Sequence, residues 1–171
     1  SSSSAASDVY KRQGMKVLQF AFGSGSDNEY LPHNYTPNSV VYTGTHDNET
    51  LMQYLECTEE HVRNHIREYM NRPHASNEEL CENLIWMAMS SVGKYCMIPL
   101  QDYLGLGKEA RMNYPSTLGH NWEWRVRKEQ LTHDLAGYIA HMTGLSYRWR
   151  IDPPKEEETN EKDTENKSVS Y

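Results

Sequence analysis

Three short apolar runs, each broken off by a cluster of polar residues, constrain this chain more than any other feature. MKVLQFAF (residues 15–22) ends at Gly-Ser-Gly-Ser-Asp, SVVYTGT (39–45) ends at His46-Asp47-Asn48, and KYCMIPL (94–100) ends at Gln101-Asp102. Runs this short and this rich in β-branched and aromatic residues read as strands. Between the second and third the pattern changes to helical spacing. Val62, Ile66, Tyr69 and Met70 recur between Thr58, an expected cap, and Pro73. Leu80, Leu84, Met87 and Ser91 repeat the spacing, with Ile85, Ala88 and Val92 widening the apolar face. A further helix is expected to start at Asn48, and a last one at about Thr132–Leu145 with Leu135, Ile139 and Met142 inward. Strands alternating with helices make a parallel α/β fold, and strands so apolar are expected to be buried on both faces.

In a closed barrel of parallel strands, residues just beyond the C-terminal strand ends line one mouth. His46, Asp47, Asn48, Gln101 and Asp102 are therefore expected to converge. A complete eightfold barrel takes roughly 250 residues, whereas the 171 residues here carry three convincing strands. The expectation is part of a (β/α)8 barrel, covering residues 14–151. Residues 1–13, beginning SSSSAAS, show no periodicity and read as a disordered leader or an artefact. Residues 152–171 hold Glu156, Glu157, Glu158, Glu161, Asp163 and Glu165 with almost nothing apolar, and read as a solvated acidic tail.

Seventeen basic against twenty-four acidic residues give a formal net charge of -7, which repels phosphate backbones and disfavours a nucleic-acid partner. No apolar stretch is long enough for a membrane span and no secretory signal is seen, so a soluble, intracellular protein is expected. Cys57, Cys81 and Cys96, odd in number and widely spaced, suit reduced thiols in a packed interior. Metal-ligand spacing is lacking: His61 and His65 lie four apart on one helix without the glutamate of a zinc motif. G-x-G at 23–25 and 105–107 lacks the rest of a phosphate loop. No metal and no cofactor are implied.

The His46-Asp47-Asn48 triplet is the most informative chemistry. A carboxylate between two hydrogen-bonding side chains can grip a sugar ring and stabilise an oxocarbenium-like centre. By spacing alone, Asp47 and Asn48 could equally be helix caps. Glycoside chemistry needs two opposed carboxyl groups, and neither Glu49, too close to Asp47, nor Asp102, on another strand end, makes a convincing partner. Trp122 and Trp124 of NWEWR are expected to pack, with substrate stacking as the alternative.

GMKVLQFAFGS, YLPHNY, VVYTGTHDNET, QDYLGLGKEARMNYP and NWEWR, in that order, resemble the C-terminal part of the amylomaltase or disproportionating-enzyme family, the 4-alpha-glucanotransferases of glycoside hydrolase family 77. The resemblance covers about residues 14–151. It implies an alpha-amylase-type barrel whose sixth, seventh and eighth strands are these three. It implies retaining transfer of an alpha-1,4-glucan segment to the 4-hydroxyl of another glucan or of glucose. The family's nucleophilic aspartate and acid/base glutamate would both lie upstream of Gly14, so this chain alone would be inactive. Asp47 corresponds to the family's transition-state stabiliser, and His46 to its sugar-binding histidine. Phe20 and Asn113 correspond to its substrate-contacting phenylalanine and to the asparagine of its RMN motif; Asn48 joins the substrate-binding set. Ser24 stands where the family often has an acidic residue. Partners would be maltooligosaccharides, starch or glycogen derivatives and a glucose acceptor, in cytoplasm or plastid. The competing expectation is a non-catalytic glucan-binding or regulatory protein built from the same barrel piece.

Overall fold

The computed structural model describes residues 14–149; the expected leader and acidic tail lie outside them. Three parallel strands, β1 (Gly14–Val17), β2 (Ser39–Tyr42) and β3 (Tyr95–Met97), form one sheet in the order β1-β2-β3. The helices are α1 (Leu51–Cys57), α2 (Glu60–Tyr69), α3 (Asn77–Met89), α4 (Leu100–Tyr103) and α5 (His133–Leu145). This is an α/β fold around a small parallel sheet.

Met15, Val40 and Tyr95 stand in register on one face of the sheet, and Lys16, Val41 and Cys96 on the other. Val41 is fully buried in a core with Leu18, Phe22, Leu51, Leu55, Ile66 and Leu84, and Cys96 packs against it. The opposite face is open, with Met15, Tyr95 and Met97 each about half exposed. Burial on both faces is therefore not what the described residues show. Three strands do not close on themselves: on the second face Val17 is buried at the end of β1 and Val40 and Tyr42 are half-buried, while the residues toward its two edges lie exposed.

Strand lengths and helix starts also differ from the periodicity. After Val17 the chain tightens into a 3-10 turn at Leu18–Phe20, and β3 stops at Met97, so Gln101 and Asp102 belong to α4 rather than to a strand. Thr50, not Asn48, caps α1, its side chain accepting from the Gln53 N–H. Asn48 is diverted because its amide oxygen accepts from the Thr45 N–H at 2.9 Å and the Thr45 hydroxyl at 2.8 Å. Thr58 ends α1, and α2 starts from Glu59 without a side-chain cap. Asn71, at φ 55°, turns the chain out of α2 ahead of Pro73. Ser76 and Glu79 form a reciprocal capping box on α3. Ser90 ends that helix, which leaves Val92 exposed and off the apolar face. The α5 expectation holds in position, with Met142 buried and Leu135 and Ile139 half-buried.

Among the described residues all three cysteines are free, but Cys57 is exposed rather than packed. Burial pushes the Cys81 thiol up to about 12 and that of Cys96 to about 11. No helix among the described residues is long and apolar enough to cross a membrane.

Candidate functional site

Parallel strands put all three of their C-terminal ends on one edge of the sheet, and the polar clusters gather there. The loop from Thr43 to Thr50 leaves β2 with His46 and Asp47 about half exposed. His46 Nε2 lies 3.4 Å from Asp47 Oδ1. Asn113 donates its side-chain amide to the same Asp47 oxygen at 2.7 Å, across a sequence separation of 66 residues. A groove of about 480 Å³ runs from Met15, Tyr42 and Met97 on the open sheet face up to His46 and Asp47. That volume suits a small polar ligand such as a sugar ring or two.

The loop is held from beneath and from both sides. Gln19, buried after β1, donates its amide to the Glu49 carbonyl at 2.7 Å. Gly44 makes room for it: a Cβ there would stand 2.6 Å from Gln19 Nε2. Arg111 serves three acceptors, the Asp47 carbonyl at 3.1 Å, the Asn113 carbonyl at 3.0 Å and the Glu49 carboxylate at 3.3 Å. Its guanidinium also lies over the Tyr114 ring, 4.4 Å from the centroid. One planar cation thus ties the backbone of Asp47 to the backbone of Asn113, whose side chains meet.

Gln101 and Asp102 also reach this end of the sheet, at the bottom of a cavity of about 180 Å³ that they line with Thr45, His46, Asn48 and Arg111. Both are buried. Gln101 turns its amide to the Ala110 carbonyl at 3.3 Å. Asp102 lies under the loop, accepting from the Thr43 hydroxyl at 2.6 Å and the Leu51 N–H at 2.8 Å. Burial pushes its carboxyl up to about 6, with those two hydrogen bonds pulling the other way.

Phe20 stands apart from the triplet. It is half exposed on the turn after β1 and meets Tyr30 edge-on at 5.5 Å. Ser24 binds the Asn28 amide at 2.8 Å. Trp122, expected to pack, is 52% exposed at φ 65° with its ring 5.0 Å from that of His46. Its backbone is pinned by the bond from its own N–H to the Met112 carbonyl and by Arg125 on its carbonyl. His61 and His65 do not face a common ligand: the first lies 3.1 Å from Glu59 and the second bonds the Phe22 carbonyl. Among the described residues no three His, Cys, Asp or Glu side chains gather to hold a metal ion.

A family model described as 4-alpha-glucanotransferase, that of glycoside hydrolase family 77, matches residues 4–132. The chain belongs to this family. The match begins ahead of Gly14, inside the segment that the sequence pattern sets aside. The chain is 46% identical to the chloroplastic/amyloplastic 4-alpha-glucanotransferase of Solanum tuberosum over 113 residues, which are 66% of this chain and 19% of that protein. It is 42% identical to the 4-alpha-glucanotransferase of Synechocystis over 139 residues, 81% of this chain and 27% of that protein. Among solved structures, an amylomaltase from Streptococcus agalactiae in complex with acarbose superposes with a TM-score of 0.79 at 30% identity. That likeness covers 86% of this chain and 30% of the other. This family member thus spans 19% to 30% of the length of these relatives.

Proposed function

We propose that this chain is the C-terminal part of a 4-alpha-glucanotransferase, contributing strands six to eight of a (β/α)8 barrel and the sugar-gripping side of its active site. The complete polypeptide moves a segment of an alpha-1,4-glucan to the 4-hydroxyl of an acceptor glucan or of glucose. Its nucleophilic carboxylate attacks the anomeric carbon as the glycosidic bond breaks, and its acid/base carboxyl gives a proton to the departing oxygen. The acceptor hydroxyl then displaces the enzyme carboxylate and returns a proton to the same base, so the configuration is retained. Both carboxyl groups come from chain preceding Gly14.

The residues of the β2 loop and its neighbours act on the sugar between them. Asp47 stabilises the positive charge that develops at the anomeric centre and accepts from sugar hydroxyls. His46 offers a ring nitrogen to a hydroxyl. Asn113 fixes the Asp47 carboxylate and contacts the same sugar, Asn48 presents its amide nitrogen, and Phe20 offers an apolar face. The observation that carries this reading is the 2.7 Å bond from Asn113 to Asp47 beside His46, which makes one polar grip out of two distant motifs. Acarbose, an oligosaccharide analogue bound by the Streptococcus agalactiae protein, fits the same ligand class. We place the enzyme in cytoplasm or plastid.

The test is Asp47→Asn in the complete polypeptide, read as glucose released from maltotriose. Turnover is expected to fall about 10³-fold while the unfolding midpoint stays put, because Asp47 is half exposed. Undiminished turnover would remove Asp47 from the mechanism. Glucan binding without any transfer by the wild type would favour a binding or regulatory protein instead.

A further inference from the structure

The loop that carries His46 and Asp47 begins just after β2 and ends at α1, and one carboxylate touches it at both ends. Asp102 is only 2% exposed. Its Oδ2 accepts from the Thr43 hydroxyl at 2.6 Å, where the chain leaves β2. Its Oδ1 accepts at 2.8 Å from the N–H of Leu51, the first residue of α1. That N–H belongs to the first turn of a helix and has no partner within it. The backbone of Asp102 is fixed in turn, its N–H bonding Pro99 and its carbonyl lying 3.7 Å from the Cys81 sulfur on α3.

We infer that Asp102 is a positioning residue for the transfer reaction: bridging Thr43 and Leu51, it sets where the intervening loop holds Asp47 against the sugar. The inference rests on the function proposed above. Asp102 is not an acid/base, because it is buried below the loop with both oxygens engaged by protein donors. Gln19 and Arg111 grip the middle of the loop, but among the described residues Asp102 alone joins its two ends. A small misplacement of a catalytic group is expensive, since charge stabilisation depends on distance to the reacting centre.

The bridge depends on the shape of the group rather than on its charge. In Asp102→Asn the amide oxygen can accept from Leu51 while the amide nitrogen donates to the Thr43 oxygen, whose hydroxyl turns to suit. Asp102→Ala removes both bonds. Thr43→Val removes one and leaves a buried carboxylate oxygen unpaired. Thr43→Ser restores the hydroxyl.

The experiment compares these four variants of the complete polypeptide in two readouts, maltotriose disproportionation and amide hydrogen exchange. Asp102→Ala and Thr43→Val are expected to lose about 10²-fold in kcat with KM little changed, while Asp102→Asn and Thr43→Ser retain most of it. Exchange should rise at residues 44–50 in the first pair while α3 keeps its protection. The inference is overturned if folded Asp102→Ala turns over like the wild type, or if Asp102→Asn fails as badly as Asp102→Ala. It is equally overturned if exchange rises throughout the domain, which is the signature of general destabilisation. Should the wild type transfer no glucan, the proposed function fails. Exchange then decides by itself: loosening at 44–50 in Asp102→Ala that Asp102→Asn reverses upholds the positioning, and its absence refutes it.

Discussion

Asp102 keeps a carboxyl in the interior, and its environment fixes how it responds to pH. Burial raises it to about 6 from the ordinary 3.8, against the pull of the Leu51 N–H and the Thr43 hydroxyl. The native state therefore holds this proton more tightly than the unfolded chain does. Ionising Asp102 costs the fold nothing below about pH 4, progressively more between about pH 4 and 6, and a constant amount above that. Asp102→Asn never bears that cost. Urea midpoints of the two complete proteins should coincide near pH 4, and the variant should be the more stable at pH 7. Parallel curves from acid to neutral pH would contradict a raised Asp102. Arg111 poses a different demand, because its three acceptors, on Asp47, Glu49 and Asn113, need a planar fork. Lysine can serve only one or two of them with its single ammonium. Arg111→Lys in the complete enzyme is expected to lower kcat about tenfold, the equivalent of one such bond; unchanged kinetics would make the fork dispensable.

At the scale of elements, α5 is held by Met142 in the core and by an arginine just beyond its C-terminal end. Arg148 donates to the carbonyls of Met89, Ser91 and Gly93 at 2.6, 2.9 and 3.0 Å, closing the C-terminal end of α3. Arg148→Ala leaves three carbonyls without this donor, and its cost is expected at about 1–3 kcal/mol, with faster amide exchange in α5 than in α2. Equal exchange in both would mean that Met142 and its apolar neighbours hold α5 unaided. The periodic elements are legible in the sequence because burial writes itself into spacing: Ile66, Leu80 and Leu84 are fully buried or nearly so, where helical spacing puts them inward. Boundaries are less so, since a cap is a competition between side chains. Asn48 has a cap's chemistry but bonds Thr45, and Thr50 takes the role. The Ser76–Glu79 box has the S-x-x-E spacing of its kind, yet apolar periodicity alone does not mark it as the start of α3. His46 and Asp47 announce themselves by adjacency after a strand. Asn113 is reached only through family resemblance, because nothing local ties it to a carboxylate 66 residues away. The place of Asp102 beneath the loop, and the roles of Gln19, Thr43 and Arg111, exist only once the strands are side by side.

For the molecule as a whole, the open sheet face is the governing fact. Met15 on β1 and Tyr95 and Met97 on β3 are exposed on the same face with β2 between them, and Leu145 stands exposed on α5. Apolar surface of this kind on a strand face invites association. Residues 14–149 made alone are expected to self-associate with rising concentration in sedimentation; a monodisperse monomer with one sharp thermal transition would contradict this. In the barrel proposed above, further strands would cover this face and bring the nucleophile and the acid/base. The most direct measurement is maltotriose disproportionation by the complete polypeptide beside residues 14–149 alone. Glucose and longer maltodextrins of retained configuration are expected from the complete protein, and none from the shorter chain. Transfer by residues 14–149 alone, or none by the complete protein, would contradict the assignment.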